Sequence, residues 1–314
     1  MKTPNPFPFS DTNKRYYTYD YYLRQRFGRK CARVTLDAGF SCPNIDGSCG
    51  TGGCIYCTAP IERNRKPAPL AEQFTANRAV QQAKWRGSAS IAYFNAGTNT
   101  YAPTERLRKL FETALAFPDV VGLAIATRAD AISDETIELL RELDRRTFLV
   151  VELGLQSVHD STAELINRGH TYAQFLDAYR RLSGLNVCIH IINGLPREDE
   201  DMMLETAREI ARLHPMMIKI HMLYVSRGTP LAAMWERGDL PLLSRDDYAR
   251  ITVDQLELLP PDTVVGRLTG DGERSSLLAP EWTLKKLTVT NEIDKLFVKR
   301  GSMQGIYYGG ELNS

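Results

Sequence analysis

The chain has no apolar run approaching the roughly 18 residues that a membrane-spanning helix requires. It also lacks an excess of charge of either sign: 39 Lys and Arg stand against 38 Asp and Glu, a formal net charge of +1. That balance argues against a protein that coats nucleic acid along its length, while leaving room for a local basic patch. No internal repeat or low-complexity tract interrupts the 314 residues, enough for one large α/β domain with or without an appendage. The first residues are rich in proline and polar groups and carry no apolar stretch of the secretory kind, so the expectation is a soluble cytoplasmic chain without membrane association. Cysteine is scarce as well. Six are too few for a disulfide framework, yet five lie between Cys31 and Cys57 and only Cys188 lies elsewhere. In a reducing compartment such a knot points to metal.

What the chain does have is alternation. Short apolar runs at 33–37, 90–95, 120–126, 148–153, 187–192 and 217–223 are separated by amphipathic stretches, among them 104–117, 134–143, 171–182 and 200–213. Continuous apolar strands between helices mean parallel strands buried on both faces. Six such units predict an α/β fold, a partial (β/α)6 TIM-like barrel. Residues 1–13 read as an extended arm and 14–30 as a helix ending at Gly28, with five tyrosines among basic residues. Beyond about residue 224, helical stretches at 244–258 and 282–298 flank a polar loop, 267–273. The expected organisation is an N-terminal arm and helix (1–30), the barrel (31–228) and a C-terminal α-rich extension packed on it (229–314).

The loop after the first strand reads Asp37-Ala-Gly-Phe-Ser-Cys42-Pro-Asn-Ile-Asp-Gly-Ser-Cys49-Gly-Thr-Gly-Gly-Cys54-Ile-Tyr-Cys57. Thiolates bind zinc or iron–sulfur clusters, and a Cys-x-x-Cys pair grips one metal or cluster from a single tight turn. Four thiolates (Cys42, Cys49, Cys54, Cys57) would close a structural zinc site, the basis of an alternative reading as a zinc-stabilised binding or scaffold protein. Three would leave a cluster iron open. Spacing alone leaves the two level, with dithiol redox chemistry at Cys54 and Cys57 a weaker third. Position favours the cluster: the loop sits at the carboxyl end of a barrel strand, where active sites of such barrels lie.

With these residues in view, the sequence resembles the radical S-adenosylmethionine superfamily, and within it a bacterial subfamily near the coproporphyrinogen dehydrogenase and elongator (tRNA wobble uridine) branches. The matching pattern is Cys-x11-Cys-x2-Cys, which implies Cys42, Cys54 and Cys57 as the metal ligands and catalytic cysteines, does not require Cys49, and puts Tyr56 near the adenine. The resemblance continues at later strand ends. Phe94-Asn95-Ala96-Gly97-Thr98-Asn99 occupies the place of the motif that meets the cofactor's amino group, which implicates Asn95 and Gly97. Ala126-Thr127-Arg128-Ala129-Asp130 is similar to the elongator branch, and Glu152-Leu-Gly-Leu-Gln156-Ser157 to the dehydrogenase branch, implying cofactor contacts at Thr127, Glu152 and Gln156. Arg168, twelve residues after Gln156, falls where the family grips the methionine carboxylate, and His190 where one branch has an acid. The implied cofactors are a 4Fe–4S cluster and S-adenosylmethionine. The implied reaction is reductive cleavage to a 5′-deoxyadenosyl radical that abstracts hydrogen from an unidentified substrate, a tRNA base or a tetrapyrrole-like small molecule. An external electron donor such as flavodoxin or ferredoxin is the implied partner.

Several of these residues also have plainer roles. Arg168 before Gly169 suits an ordinary helix C-terminus. Glu152 lies in an apolar strand, where burial without a partner is costly. His190 and His221, on adjacent strands, are expected to line the lumen or to be satisfied core residues, and Cys31 and Cys188 to act as small buried groups. The Tyr/Arg-rich helix suits packing against the barrel better than stacking with RNA, a role in which Arg63, Asn64, Arg65 and Lys66 would join it.

Overall fold

The computed structural model describes residues 5–59, 66–270 and 272–309. The six expected apolar runs form β1 (Cys31–Leu36), β2 (Ala89–Phe94), β3 (Val120–Thr127), β4 (Phe148–Gln156), β5 (Asn186–Asn193) and β6 (Met217–Met222). A short ribbon pairs β7 (Val225–Ser226) with β9 (Leu277–Ala279) antiparallel, and β8 (Val264–Arg267) lies between them in sequence. The main sheet runs β1-β2-β3-β4-β5-β6-β8, every neighbour parallel. It curls into a partial barrel whose edge strands, β1 and β8, do not pair with each other. The seventh strand, β8, adds to the six units read from the sequence. Arg267, expected to open a loop, ends β8 instead, and four residues are too few to show a period.

Helices cover the outer face because their apolar stripes match it. Leu107, Phe111 and Ala114 of Thr104–Leu115, five positions of Asp134–Asp144, and Met203, Ala207 and Ile210 of Glu200–Leu213 all bury against the sheet. Their starts are fixed by side-chain caps: Ser133, Asp199 and Ser244 each accept an amide, and Thr171 with Gln174 forms a capping box. The helix Leu70–Lys84 escaped the sequence pattern because only Phe74 is buried, leaving no stripe to see.

The amino-terminal helix spans Tyr19–Phe27, not 14–30. Thr18 caps it and also bridges to Val265 of β8, which keeps residues 14–17 outside the helix. This helix closes the lower mouth of the barrel. Tyr19 and Leu23 are buried with Cys31, Phe148, Val150, Cys188, Met217 and Val264, and Tyr22 and Phe27 pack on the same cluster. The preceding arm folds back rather than extending: Phe7 is buried and Phe9 stacks on Tyr17 with centroids 4.8 Å apart. In the C-terminal extension, Tyr248 of Arg245–Leu258 is buried and donates its hydroxyl to the carbonyl of Leu268 at 3.0 Å. No helix among the described residues is long and apolar enough to cross a membrane.

Candidate active site

The cysteine loop follows β1 and is held by backbone and amide contacts rather than by an apolar core. Cys42 is the N-cap of a one-turn helix, Pro43–Asp46, with proline at its first position. Asn44 is wholly buried. Its carbonyl accepts from Gly53 N at 2.8 Å, and its side-chain amide reaches Asn167 O at 2.5 Å and Cys54 Sγ at 3.9 Å. Asn167 returns the contact, donating to Gly53 O at 2.7 Å and Thr51 O at 3.0 Å, and Ile55 N donates to Ile166 O at 3.0 Å. The loop is thus stitched to the turn after β4 that carries Arg168. The fit leaves no room for side chains at two glycines: a Cβ on Gly169 would come 2.7 Å from Asn44 Oδ1, and one on Gly97 would come 2.2 Å from the Phe40 carbonyl oxygen.

Cys42, Cys54 and Cys57 are half-buried and outside any disulfide, whereas Cys49 is exposed. Burial pushes the Cys54 thiol up, against the pull of hydrogen bonds from Tyr56 and Asn44 and of the Arg128 charge. Two guanidiniums flank the group. Burial opposes the charge on Arg128, but Asp130, at 2.6–2.8 Å in a bidentate pair, more than restores it. Arg168 is 1% exposed. Its Nε donates to His170 O at 2.9 Å and its Nη1 to Ser157 O at 2.7 Å and to Leu155 O, which leaves Nη2 without a hydrogen-bond partner. Burial lowers its pKa, and Tyr56 and Cys54 are among the groups it feels. The helix C-terminal role foreseen as the plain reading does not describe it: the helix Asp160–Leu165 has ended, and the guanidinium turns inward against carbonyls.

Other residues singled out in the sequence lie on the same rim. Gly97 has φ +71°, and its neighbour Thr98 donates to Ser41 O at 3.0 Å, tying the end of β2 to the cysteine loop. Asn95 is exposed there. Thr127 ends β3 and its hydroxyl meets that of Thr100. Gln156 takes φ +69° at the end of β4, next to a register shift in the β4–β5 ladder, a conformation that costs on the order of 1–3 kcal/mol for a non-glycine.

Glu152 and His190 sit lower, inside the lumen, in a network that sequence reasoning half saw. Glu152 is 1% exposed. Its Oε2 accepts from Tyr93 at 2.8 Å, from His190 Nε2 at 3.0 Å and from Lys219 Nζ, and Arg33 stands 3.1 Å from Oε1. Burial would raise its pKa, yet Arg33 and Lys219 hold it well below the usual carboxylate range. Burial draws Lys219 down to about 8 and, with the Lys219 charge, His190 to about 4. The His190 and His221 rings stack 5.5 Å apart. Arg33, Tyr93 and Lys219 were missed. Each lies in an apolar strand, and the cost that singled out Glu152 demands such partners.

The possible metal grips differ in spacing. A closed tetrahedral zinc site needs thiolate sulfurs about 3.8 Å apart, from a Zn–S bond of about 2.3 Å. Among the described residues, the one group of three or more His, Cys, Asp or Glu whose ligand atoms lie within 4.8 Å of one another is Glu152, Cys188 and His190. The loop thiols are not drawn in that far.

Comparison with known proteins gives the family. The Radical SAM superfamily model matches residues 47–210 and the Radical_SAM C-terminal domain model residues 215–299. The uncharacterized protein YtqA of Bacillus subtilis is 46% identical, over 98% of this chain and 97% of its own. A tRNA uridine(34) acetyltransferase of Methanocaldococcus jannaschii is 30% identical over 53% of this chain and 31% of its own. Among solved structures, the archaeal Elp3 of Methanocaldococcus infernus lacking residues 1–46 superposes with a TM-score of 0.65 at 19% identity, covering 88% of this chain and 67% of that one, a likeness of fold.

Proposed function

The chain belongs to the Radical SAM superfamily, and from that premise we propose that Cys42, Cys54 and Cys57 hold a 4Fe–4S cluster beside a bound S-adenosylmethionine. The observation that carries the reading is the meeting, on one rim, of three half-buried cysteine thiols outside any disulfide with the guanidiniums of Arg128 and buried Arg168. A cluster held there would supply the electron for reductive cleavage of S-adenosylmethionine, the source of the 5′-deoxyadenosyl radical that would abstract hydrogen from substrate.

The protein's part is chelation, orientation and exclusion of water. Asn44 and Tyr56 donate toward Cys54, which stabilises the thiolate form a ligand must take. Arg168 offers its Nη2, which makes no hydrogen bond and only a 3.6 Å ion pair with the exposed Asp160, to the methionine carboxylate, while its other nitrogens, pinned to carbonyls, fix the aim. Gln156, at the end of β4, offers its amide to the ribose hydroxyls, and Asn95, just after β2, offers its amide oxygen as acceptor for the amino group. Cys49, exposed and not required by the pattern, is left outside the ligand set. The electron comes from an external donor such as flavodoxin or ferredoxin.

For the substrate we favour a tRNA base, supported by the identity with the tRNA uridine(34) acetyltransferase. The amino-terminal helix is not the surface we assign to RNA: Tyr19 is buried, Tyr22 packs on Phe148, and Arg24 pairs with Asp11 at 2.7 Å. Of the basic stretch 63–66, all but Lys66 lies outside the described residues. The test is anaerobic reconstitution with iron and sulfide, then S-adenosylmethionine and dithionite. Formation of 5′-deoxyadenosine by the wild type and none by Cys54→Ala is expected. A colourless protein holding one zinc would sink the proposal.

A further inference from the structure

The lumen network has a charge imbalance. Two cations, Arg33 and Lys219, share one carboxylate, Glu152. His190 and His221 add no negative charge. Both are held neutral, His190 at about 4 and His221 well below its usual value, chiefly by burial. Taking a net positive charge out of water costs several kcal/mol unless something answers it. The same imbalance disqualifies Glu152, Cys188 and His190 as a metal site despite their spacing, because an added cation would face both Arg33 and Lys219.

Beside this network lies a cavity of about 540 Å³ in the gap between β1 and β8, where the barrel does not close. It runs from Lys30 and Trp85 on the flank to Asn95 at the upper rim, and is walled by Tyr19, Arg33 and Arg267. Arg33 Nε and the Tyr19 hydroxyl are buried on this wall with no hydrogen-bond partner. Tyr93, also on the wall, links it to the network, accepting from Lys219 Nζ at 3.0 Å. The volume suits a small molecule. The flanking charges at the mouth are already paired, Lys30 with Asp20 and Arg24 with Asp20 and Asp11, which gives no basic track for a nucleic-acid backbone.

We infer that this cavity binds the oxyanion, a carboxylate or a phosphate, of a small-molecule co-substrate, with Arg33 and Arg267 as its anchors. That the ligand is a reactant rests on the radical reaction proposed above; that an anion binds does not. Its upper end reaches Asn95, just after β2, on the rim where the radical reaction is proposed.

The test is calorimetric titration of the reconstituted protein with S-adenosylmethionine bound and no reductant. The probes are succinate, inorganic phosphate and, as the uncharged control, uridine. Saturable binding of succinate or of phosphate, but not of uridine, supports the inference and says which oxyanion is meant. Arg33→Gln and Arg267→Gln should each weaken binding at least about tenfold while leaving cluster absorbance unchanged. Should either variant fail to fold, Arg33→Lys and Arg267→Lys keep the charge and should retain part of the affinity. No saturable binding of either anion at millimolar concentration overturns the inference. So does equal affinity in the wild type and both Gln variants, or a short single-stranded RNA binding this site where the small anions do not. Anion binding without 5′-deoxyadenosine formation would remove only the reactant assignment.

Discussion

Replacing Glu152 by Gln keeps the size of the side chain and removes the one carboxylate that Arg33 and Lys219 share. Breaking a buried ion pair from one side costs about 3–5 kcal/mol, because the remaining charges stay buried without an answer. Unfolding entropy of about 2.1 cal/mol/K per residue gives roughly 0.66 kcal/mol/K for 314 residues, so that loss lowers the Tm by roughly 5–8 °C. Scanning calorimetry of the metal-free protein at pH 7 reads it directly. The charge origin of the effect is separable from packing. In Glu152→Gln/Lys219→Met one stranded cation is gone, and at least about 1.5 kcal/mol should return relative to the sum of the single variants. Raising the pH to 9 should also shrink the Glu152→Gln penalty, since Lys219, already drawn to about 8, sheds its proton. A Tm loss under about 1 °C, or strictly additive single variants, would refute the view of this layer as one charge-coupled unit.

Cys42→Ala, Cys54→Ala and Cys57→Ala should each abolish iron retention after reconstitution and Cys49→Ala should keep it; iron analysis decides, and equal loss in Cys49→Ala would put that thiol in the ligand set. Arg168→Ala should weaken S-adenosylmethionine binding by about tenfold or more with cluster absorbance intact, and unchanged affinity by equilibrium dialysis would remove its assignment. Gly97→Ala should lower both Tm and iron content, because its Cβ would strike the Phe40 carbonyl beside the cysteine loop at 2.2 Å, whereas Gly52→Ala, with nothing within 4 Å, should show only backbone strain. His190 is held at about 4 against its usual 6.5, so the unfolded chain takes its proton first and stability falls as pH drops from 6.5 to 4. The loss from this group is about 3 kcal/mol, and urea titrations of the metal-free wild type and His190→Gln should diverge over that window and run parallel above it.

The sheet was legible in the sequence because buried parallel strands are apolar throughout, and β2, buried at every position, is the clearest case. Helices with a full apolar stripe were equally legible, Glu200–Leu213 to the residue. What escaped had no period to detect: β8 with four residues, and Leu70–Lys84 with a single buried side chain. The start of the amino-terminal helix was misplaced because tyrosines at 16 and 17 suit helix and strand alike, and only the bridge from Thr18 to Val265 decides between them. The site divides in the same way. Thiols and glycines within one loop announce themselves by spacing. The partners of Glu152 lie 119, 59 and 67 residues away at Arg33, Tyr93 and Lys219, and only the register of the curled sheet brings them together.

The most direct test of the central claim is electron paramagnetic resonance of the anaerobically reconstituted, dithionite-reduced protein, recorded before and after addition of S-adenosylmethionine. A cluster held by Cys42, Cys54 and Cys57 with one open iron predicts a reduced 4Fe–4S signal that changes shape when the cofactor binds that iron. A protein with no such signal and one zinc per chain, or a signal indifferent to S-adenosylmethionine, would contradict it.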